Sequence, residues 1–523
     1  MRRVVGFGVA LALLGAAPEA LAQSPTDSAE LRRAVTVEGV LAHERELQRI
    51  AERNQGTRVA GTAGYDASAR YVARRLRLAG YRVTAQPFDF PFFQEREPAR
   101  LSQVSPTARD YGEADFLMMD YSGSGDVTAT VQPVDLQLPP GPTANSSTSG
   151  CEATDFAGFE AGRIALLQRG TCTFGVKAGN AAAAGAAGVI VFNEGQEGRT
   201  ALLAGATLGE PGFTIPVVFT GFALGEELAA ASAAGTGVTV RMFTSTVSET
   251  RRVSNVIGDT RGGRADRVVV AGAHLDSVSA GPGINDNGSG SSTILEIAEQ
   301  MAALIPEPGE SDPDAGEPFT PRNRVRFAFW GAEEQGLLGS AYYVSQLSAE
   351  ERARIGLNLN FDMLGSTNFV RFVYDGDTSD YEVGDVPAGS DEIERVFLDY
   401  FSSQRLATEP TPFDGRSDYG SFLDAGIPAG GLFSGAEGVK TPAQALVYGG
   451  TAGTPYDRCY HLACDTVDNL SRTSLSQLGD GAAHAVLTFA ERDAPVRSGV
   501  EPPTGLGGEK AETGGTPGPA VSR

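Results

Sequence analysis

The sequence predicts an α/β fold, a mixed and mostly parallel central sheet flanked by helices, interrupted by a β-rich insert. Three observations carry this. From Val253 onward, short apolar runs alternate with segments of helical length and periodicity. The run Arg267–Ala273 is rich in valine throughout, the pattern of a strand buried on both faces of a parallel sheet. Between about Pro91 and Glu249 the alternation gives way to strand-like and Ala/Gly-rich sequence, the mark of a second unit.

The elements follow in order. Val37–Arg53 predicts a helix with Val40, Leu47, Ile50 and Ala51 along one face, and His43 near that face as a packing residue. A Gly-containing link leads to a helix at Tyr65–Ala79 that stops at Gly80, then a strand at Tyr81–Phe88. Inside the insert, a helix at Lys177–Ala187 precedes a short buried strand, Gly188–Phe192. The main unit resumes with strands at Val268–Ala273, Val325–Trp330, Leu357–Met363 and Gly431–Phe433. Helices are expected at Ser291–Leu304, Leu337–Leu347, Ile393–Leu406 and Leu475–Glu491, the last with His484 facing solvent. The acidic, Pro-rich stretch Pro306–Pro321 reads as an exposed, mobile loop.

A chain of 523 residues exceeds one ordinary domain. The expected division is a leader at 1–22, a main domain in two parts at 23–95 and 250–494, the insert at 96–249, and a disordered tail at 495–523. The leader has Arg2 and Arg3, an apolar run from Val4 to Ala17, and the small-x-small pattern Ala20-Leu21-Ala22. It reads as a secretory signal peptide, so the protein is expected to be secreted or periplasmic, and no other stretch is long and apolar enough to cross a bilayer. A net charge of −23, from 65 acidic against 42 basic residues, argues against a nucleic-acid partner. Four cysteines in an exported chain read as two disulfides, Cys151 with Cys172 and Cys459 with Cys464 by sequence proximity, and their spacing excludes a C-x-x-C metal site.

Chemistry-bearing residues collect at the strand ends, where open α/β sheets bind ligands. They are His274 and Asp276, Asp286, the pair Glu333-Glu334, Asp362, and His461. Imidazole and carboxylate without thiolate is a zinc-binding set. Two histidines and three carboxylates exceed one tetrahedral ion and suit two ions sharing a bridging carboxylate. The paired glutamates directly follow a strand, where neighbours point to different sides, so one can bind metal while the other serves as a base.

The segments AGAHLDSVSAGPGINDNGSG, RFAFWGAEEQGLLGS, LNFDMLGS, DGRSDYGSF, GGTAG and DRCYHLACDT together resemble metallopeptidase family 28, and within it the secreted bacterial leucine-type aminopeptidases with two zinc ions. The segment Cys151–Asn193, with RGTCTF, resembles the protease-associated domain. The resemblance implies a zinc exopeptidase fold with that domain inserted and peptides as substrates, and a monomer is the favoured state. It implies two Zn2+ per chain, with His274 and Asp362 on one, Glu334 and His461 on the other, and Asp286 bridging. Glu333 would be the general base, Tyr460 would stabilise the tetrahedral intermediate, and Asp276 would hydrogen-bond His274. Asp414 and Arg416 match positions near the substrate amine, and the Asp286–Asn287 peptide is expected to be cis. Tyr419 stands where many relatives have histidine, so the pocket beside the amine should differ in shape and polarity. The alternative within the family is a carboxypeptidase or dipeptidase, since relatives with the insert include glutamate carboxypeptidases, and transferrin receptors share the fold and the insert without the ligand set. The DGRSDY and CYHLACD motifs side with aminopeptidases, and the complete ligand set is against a receptor.

Overall fold

The computed structural model describes residues 27–233, 237–304, 320–384, 386–494 and 496. The leader, most of the 306–321 loop and all but residue 496 of the expected tail lie outside the described residues.

The strands Ala429–Phe433, Ile355–Phe361, Arg264–His274 and Asn323–Trp330 are neighbours in this order and mutually parallel. Every residue from Val268 to His274 is buried, which explains the unbroken apolar run. Because side chains alternate, Val269, Ala271 and Ala273 enter one core while Val268 and Val270 enter the core on the opposite face. The first core is closed by the helices Val37–Glu52, Ala63–Leu78, Gly290–Ala303, Ser390–Ser403 and Arg472–Glu491. The second is closed by Leu338–Ser345 and Tyr419–Asp424 around Trp330 and Phe422. The helix Val37–Glu52 starts where the Thr36 side chain accepts the Gly39 N–H, and its buried stripe is Val40, Leu47, Ile50 and Ala51.

The first strand runs well past its predicted end, from Arg82 to Ser105. It pairs antiparallel with Thr239–Asp259 from Arg82 opposite Asp259 to Ser105 opposite Thr239. One half of this ribbon edges the main sheet through Asn323–Trp330, and the other half pairs with Gly125–Pro133. A fourteen-stranded sheet therefore runs through the main domain and the insert. The insert is a small layered unit: parallel strands Ile164–Gln168, Gly188–Phe192 and Val217–Thr220 lie between the helices Phe174–Ala183 and Phe222–Ala233. The sequence reading did not resolve the second of these helices. Cys151–Cys172 closes a loop of the insert and Cys459–Cys464 a loop of the main domain. No helix among the described residues is long and apolar enough to cross a membrane.

Two histidine readings change. His484 is not solvent-facing: it is half-buried, stacks on Tyr400 at 4.8 Å and hydrogen-bonds Ser28 at 2.8 Å. The amino-terminal helix Ala29–Ala34 docks on this side of the last helix and covers it. His43 is buried as expected, but within a polar network, with Tyr71 Oη at 2.6 Å and Glu296 Oε2 at 3.3 Å.

Candidate metal centre and catalytic cleft

A cleft of about 540 Å³ opens at the carboxyl ends of the parallel strands, lined by His274, Asp286, Glu333, Glu334, Asp362 and His461, with Asp414, Arg416, Tyr419 and Tyr460 on its walls. His274 is the last residue of its strand, Asp362 directly follows its own, and the glutamates follow Trp330 after a tight turn. Asp286 lies in the irregular helical turn Ile284–Ser289, and the Asp286–Asn287 bond is cis. Ala332, Met363 and His461, each beside or within the cluster, hold positive φ of 59°, 55° and 56°. Such backbone costs about 1–3 kcal/mol per residue and persists where the surroundings over-determine it.

Asp286 sits between two groups. Its Oδ1 is 3.3 Å from His274 Nε2, which is also 3.4 Å from Asp362 Oδ1. Its Oδ2 is 3.1 Å from His461 Nε2, which is also 3.1 Å from Glu334 Oε2. Two ligand atoms about 2.0–2.2 Å from one tetrahedral ion lie roughly 3.3 Å apart, so both trios have the spacing of a zinc site. Asp362 Oδ1 and Glu334 Oε1 are buried without a hydrogen-bond partner, a costly state that a cation would relieve. The donor set therefore fits two ions, with Asp286 common to both trios.

Electrostatics say the same. Burial pushes Glu333 well above the usual carboxylate range, with Asp418 and Asp362 adding to it against the pull of His274. Burial and the Asp286 charge raise Glu334 to about 7. Burial opposes protonation of His461, but hydrogen bonds and charges of Asp286 and Glu334 outweigh it and hold the imidazole at about 10. Glu333, Glu334 and His461 are all shifted toward their protonated forms, so the cluster holds protons that bound cations would displace.

Supporting groups surround this centre. Asp276 accepts from the Glu333 and Glu334 backbone N–H groups at 3.2 and 3.4 Å. It lies 3.6 Å from His274 Nδ1, longer than the expected hydrogen bond, so its direct hold is on the glutamate turn. Arg416 pairs with Glu437 at 2.7 Å and donates to Tyr460 Oη at 3.2 Å. These two bonds set Arg416 between Glu437 and the phenol of Tyr460 at the cleft rim. Tyr419 is buried, donates to Asp414 Oδ1 at 2.7 Å and accepts from the Gly415 N–H at 3.0 Å, fixing the loop that carries Arg416.

Ser417, Asp418, Asp465 and the asparagines at 285 and 287 belong to this site although the sequence reading passed over them. Their signal was there in part: INDNGS is a polar run in a segment that turns out wholly buried, and GRSD ends in Ser417 and Asp418, which are buried although Gly415 and Arg416 are exposed.

Residues 255–486 match peptidase family M28, and residues 134–228 match the PA domain. An aminopeptidase of Pseudomonas aeruginosa strain UCBPP-PA14 is 46% identical over 455 residues, covering 87% of this chain and 81% of that one. A probable leucine aminopeptidase 2 of Aspergillus fumigatus is 40% identical, covering 84% of this chain and 80% of the relative. Among solved structures, an aminopeptidase from Aneurinibacillus sp. strain AM-1 superposes with a TM-score of 0.62 at 25% identity, covering 91% of this chain and 98% of that one.

Proposed function

Because the chain belongs to peptidase family M28, we propose that it is an exported two-zinc aminopeptidase that removes single residues from the free amino end of peptides. The observation that carries this reading is Asp286, whose two oxygens face the separate groups His274/Asp362 and His461/Glu334 while Glu333 belongs to neither. Similarity to a relative named aminopeptidase supports the substrate end. A carboxypeptidase would need a free cation for the substrate carboxylate, and Arg416, the one arginine or lysine lining the cleft among the described residues, already bonds Glu437 and Tyr460.

Zinc ions bound by His274, Asp362, Asp286, Glu334 and His461 would supply Lewis acidity for the scissile carbonyl and for the attacking water. Glu333, with Oε2 3.7 Å from His274 Nε2, accepts the proton and passes it to the leaving amine. Its burial-raised proton affinity is the direction that task needs. Tyr460 donates to the oxygen that gains charge, and burial with the nearby Asp286 charge keeps its phenol protonated. Asp276 keeps the glutamate turn in place and Arg416 keeps Tyr460 aimed. Among the described residues, none from the insert lines the cleft. The leader sequence and two disulfides support a secreted or periplasmic location.

A panel of aminoacyl-nitroanilides and amino-blocked peptides, with elemental analysis, tests this. Release of residues from free but not blocked amino ends, with two zinc ions per chain, is expected. Cleavage of blocked peptides from the carboxyl end would overturn the aminopeptidase reading, and a single ion after saturation the two-metal one.

A further inference from the structure

The turn Ile284–Ser289 contains an asparagine on each side of Asp286, both fully buried; Asn287 holds the segment around Asp362, and Asn285 joins the far end of that segment to the loop that begins at Asp457. Asn287 reaches toward Asp362. Its Nδ2 donates to the Phe361 carbonyl at 2.9 Å and its Oδ1 accepts the Met363 N–H at 3.1 Å, so it brackets Asp362 from both neighbours. The same Oδ1 accepts the Gly290 N–H at 2.9 Å. Gly290 must be glycine for this approach, since a Cβ there would lie 2.1 Å from the Phe361 oxygen. Asn285 reaches the opposite way. Its Nδ2 donates to Asp457 Oδ2 at 2.6 Å and to Ser366 Oγ at 3.0 Å, and its Oδ1 accepts the Gly365 N–H at 3.0 Å.

Asp457 and Asp465 flank the disulfide loop that carries His461, and Asp457 Oδ1 accepts the Cys459 N–H at 2.8 Å. Asp465 completes the joint by accepting the backbone N–H groups of Asn285 and Asp286 at 2.8 and 3.0 Å. The shared carboxylate is thus tied to each ligand group by its own neighbour. Buried side-chain amides bonded at both the nitrogen and the oxygen hold such geometry tightly, because any displacement leaves a polar group unpaired in a dry interior.

We propose that Asn285 and Asn287 are positioning residues that act chiefly on different metal sites: Asn287 places Asp362 for the ion on His274, and Asn285, through its bond to Asp457, places the His461 loop for the ion on Glu334. The inference rests on the two-ion reading of the cleft. Changing either asparagine to aspartate keeps its size, retains an acceptor and turns the donor into a second acceptor. Asn287→Asp then sets an oxygen against the Phe361 carbonyl, and Asn285→Asp sets a carboxylate against Asp457. Loss of groups that orient metal ligands typically weakens binding about 10–100-fold.

The experiment measures zinc content and affinity at buffered free zinc, with Glu334→Gln as the reference that empties the His461 site. Asn285→Asp should lower affinity for one ion about 10–100-fold, and adding it to Glu334→Gln should cost no further zinc. Asn287→Asp added to Glu334→Gln should remove the remaining ion. The exchange Asn285→Asp with Asp457→Asn reverses donor and acceptor at unchanged net charge, and should recover most of the lost affinity. That double variant also carries the test if Asn285→Asp alone does not fold. Equal weakening of both ions by either single change, or no recovery in the exchange, would overturn the assignment. Fewer than two ions in the unaltered protein would overturn the two-ion reading beneath it.

Discussion

Ser417 Oγ donates a 2.6 Å hydrogen bond to Asp362 Oδ2, leaving Oδ1 of the same carboxylate buried without a partner and 3.4 Å from His274 Nε2. Asn360 donates to Ser417 in turn at 2.8 Å, so the carboxylate is aimed by a chain of two groups. Ser417→Ala should keep the fold and weaken one zinc ion about 10-fold or more. Chelator competition reads this directly, and an unchanged affinity would show that Asp362 needs no orientation.

The adjacent glutamates should separate cleanly. Glu333→Gln is expected to keep two zinc ions and lose roughly three orders of magnitude in turnover, since it removes proton transfer and leaves the ligand trios intact. Glu334→Gln should lose one ion. Equal loss of metal in both variants would refute the division of roles.

Arg416 should act through Tyr460. Tyr460→Phe removes a donor to the developing oxyanion and should cost about 10²–10³ in kcat. Arg416→Ala releases the 3.2 Å contact to Tyr460 Oη and should cost less. In the double variant the Arg416 change should add almost nothing. Additive losses would mean that Arg416 touches the substrate on its own account.

Metal binding should release protons. Without metal the His461 imidazole titrates at about 10 and Glu334 at about 7, so near pH 7 this pair carries a proton that zinc must displace, whichever of the two holds it. The sign follows: the paired, protonated imidazole stabilises the metal-free protein at low pH and that contribution is lost as pH rises toward 10, whereas zinc affinity climbs with pH over the same range. Calorimetry in buffers of different ionisation enthalpy should show net proton release near pH 7, and none would contradict it.

The two disulfides should differ in consequence. Cys459–Cys464 closes a five-residue separation around Tyr460 and His461, so replacing both cysteines with serine should lower zinc occupancy or turnover. Cys151–Cys172 lies in the insert, which lines none of the cleft, and its loss should lower the thermal midpoint of that unit while sparing hydrolysis of a small nitroanilide. The reverse order of activity losses would make the insert part of the catalytic apparatus.

Much of this was legible before any coordinates. The run Arg267–Ala273 announced a strand buried on both faces, and Val268–His274 are buried on both faces. Helix positions came from periodicity and were displaced by at most four residues at their ends, as at Ser390–Ser403 against an expected Ile393–Leu406. Strand ends announced where His274, the glutamates and Asp362 would gather, because side-chain direction and sheet topology follow from local pattern.

What the sequence by itself determined is the layered α/β architecture, the interruption by a second unit, and the residue types able to hold two cations at one end of a sheet. Tertiary structure alone decided that the strand from Arg82 continues to Ser105 and joins the two units, that His484 is covered by the amino-terminal helix, and that Arg416 is spent on Tyr460. It also decided which polar residue reaches which loop, as Asn285 does to Asp457, 172 positions away. The physical reason is range. Periodicity and propensity report how a segment sits on its own element, whereas a hydrogen bond between distant loops depends on how the packed elements bring them together, which no local pattern encodes.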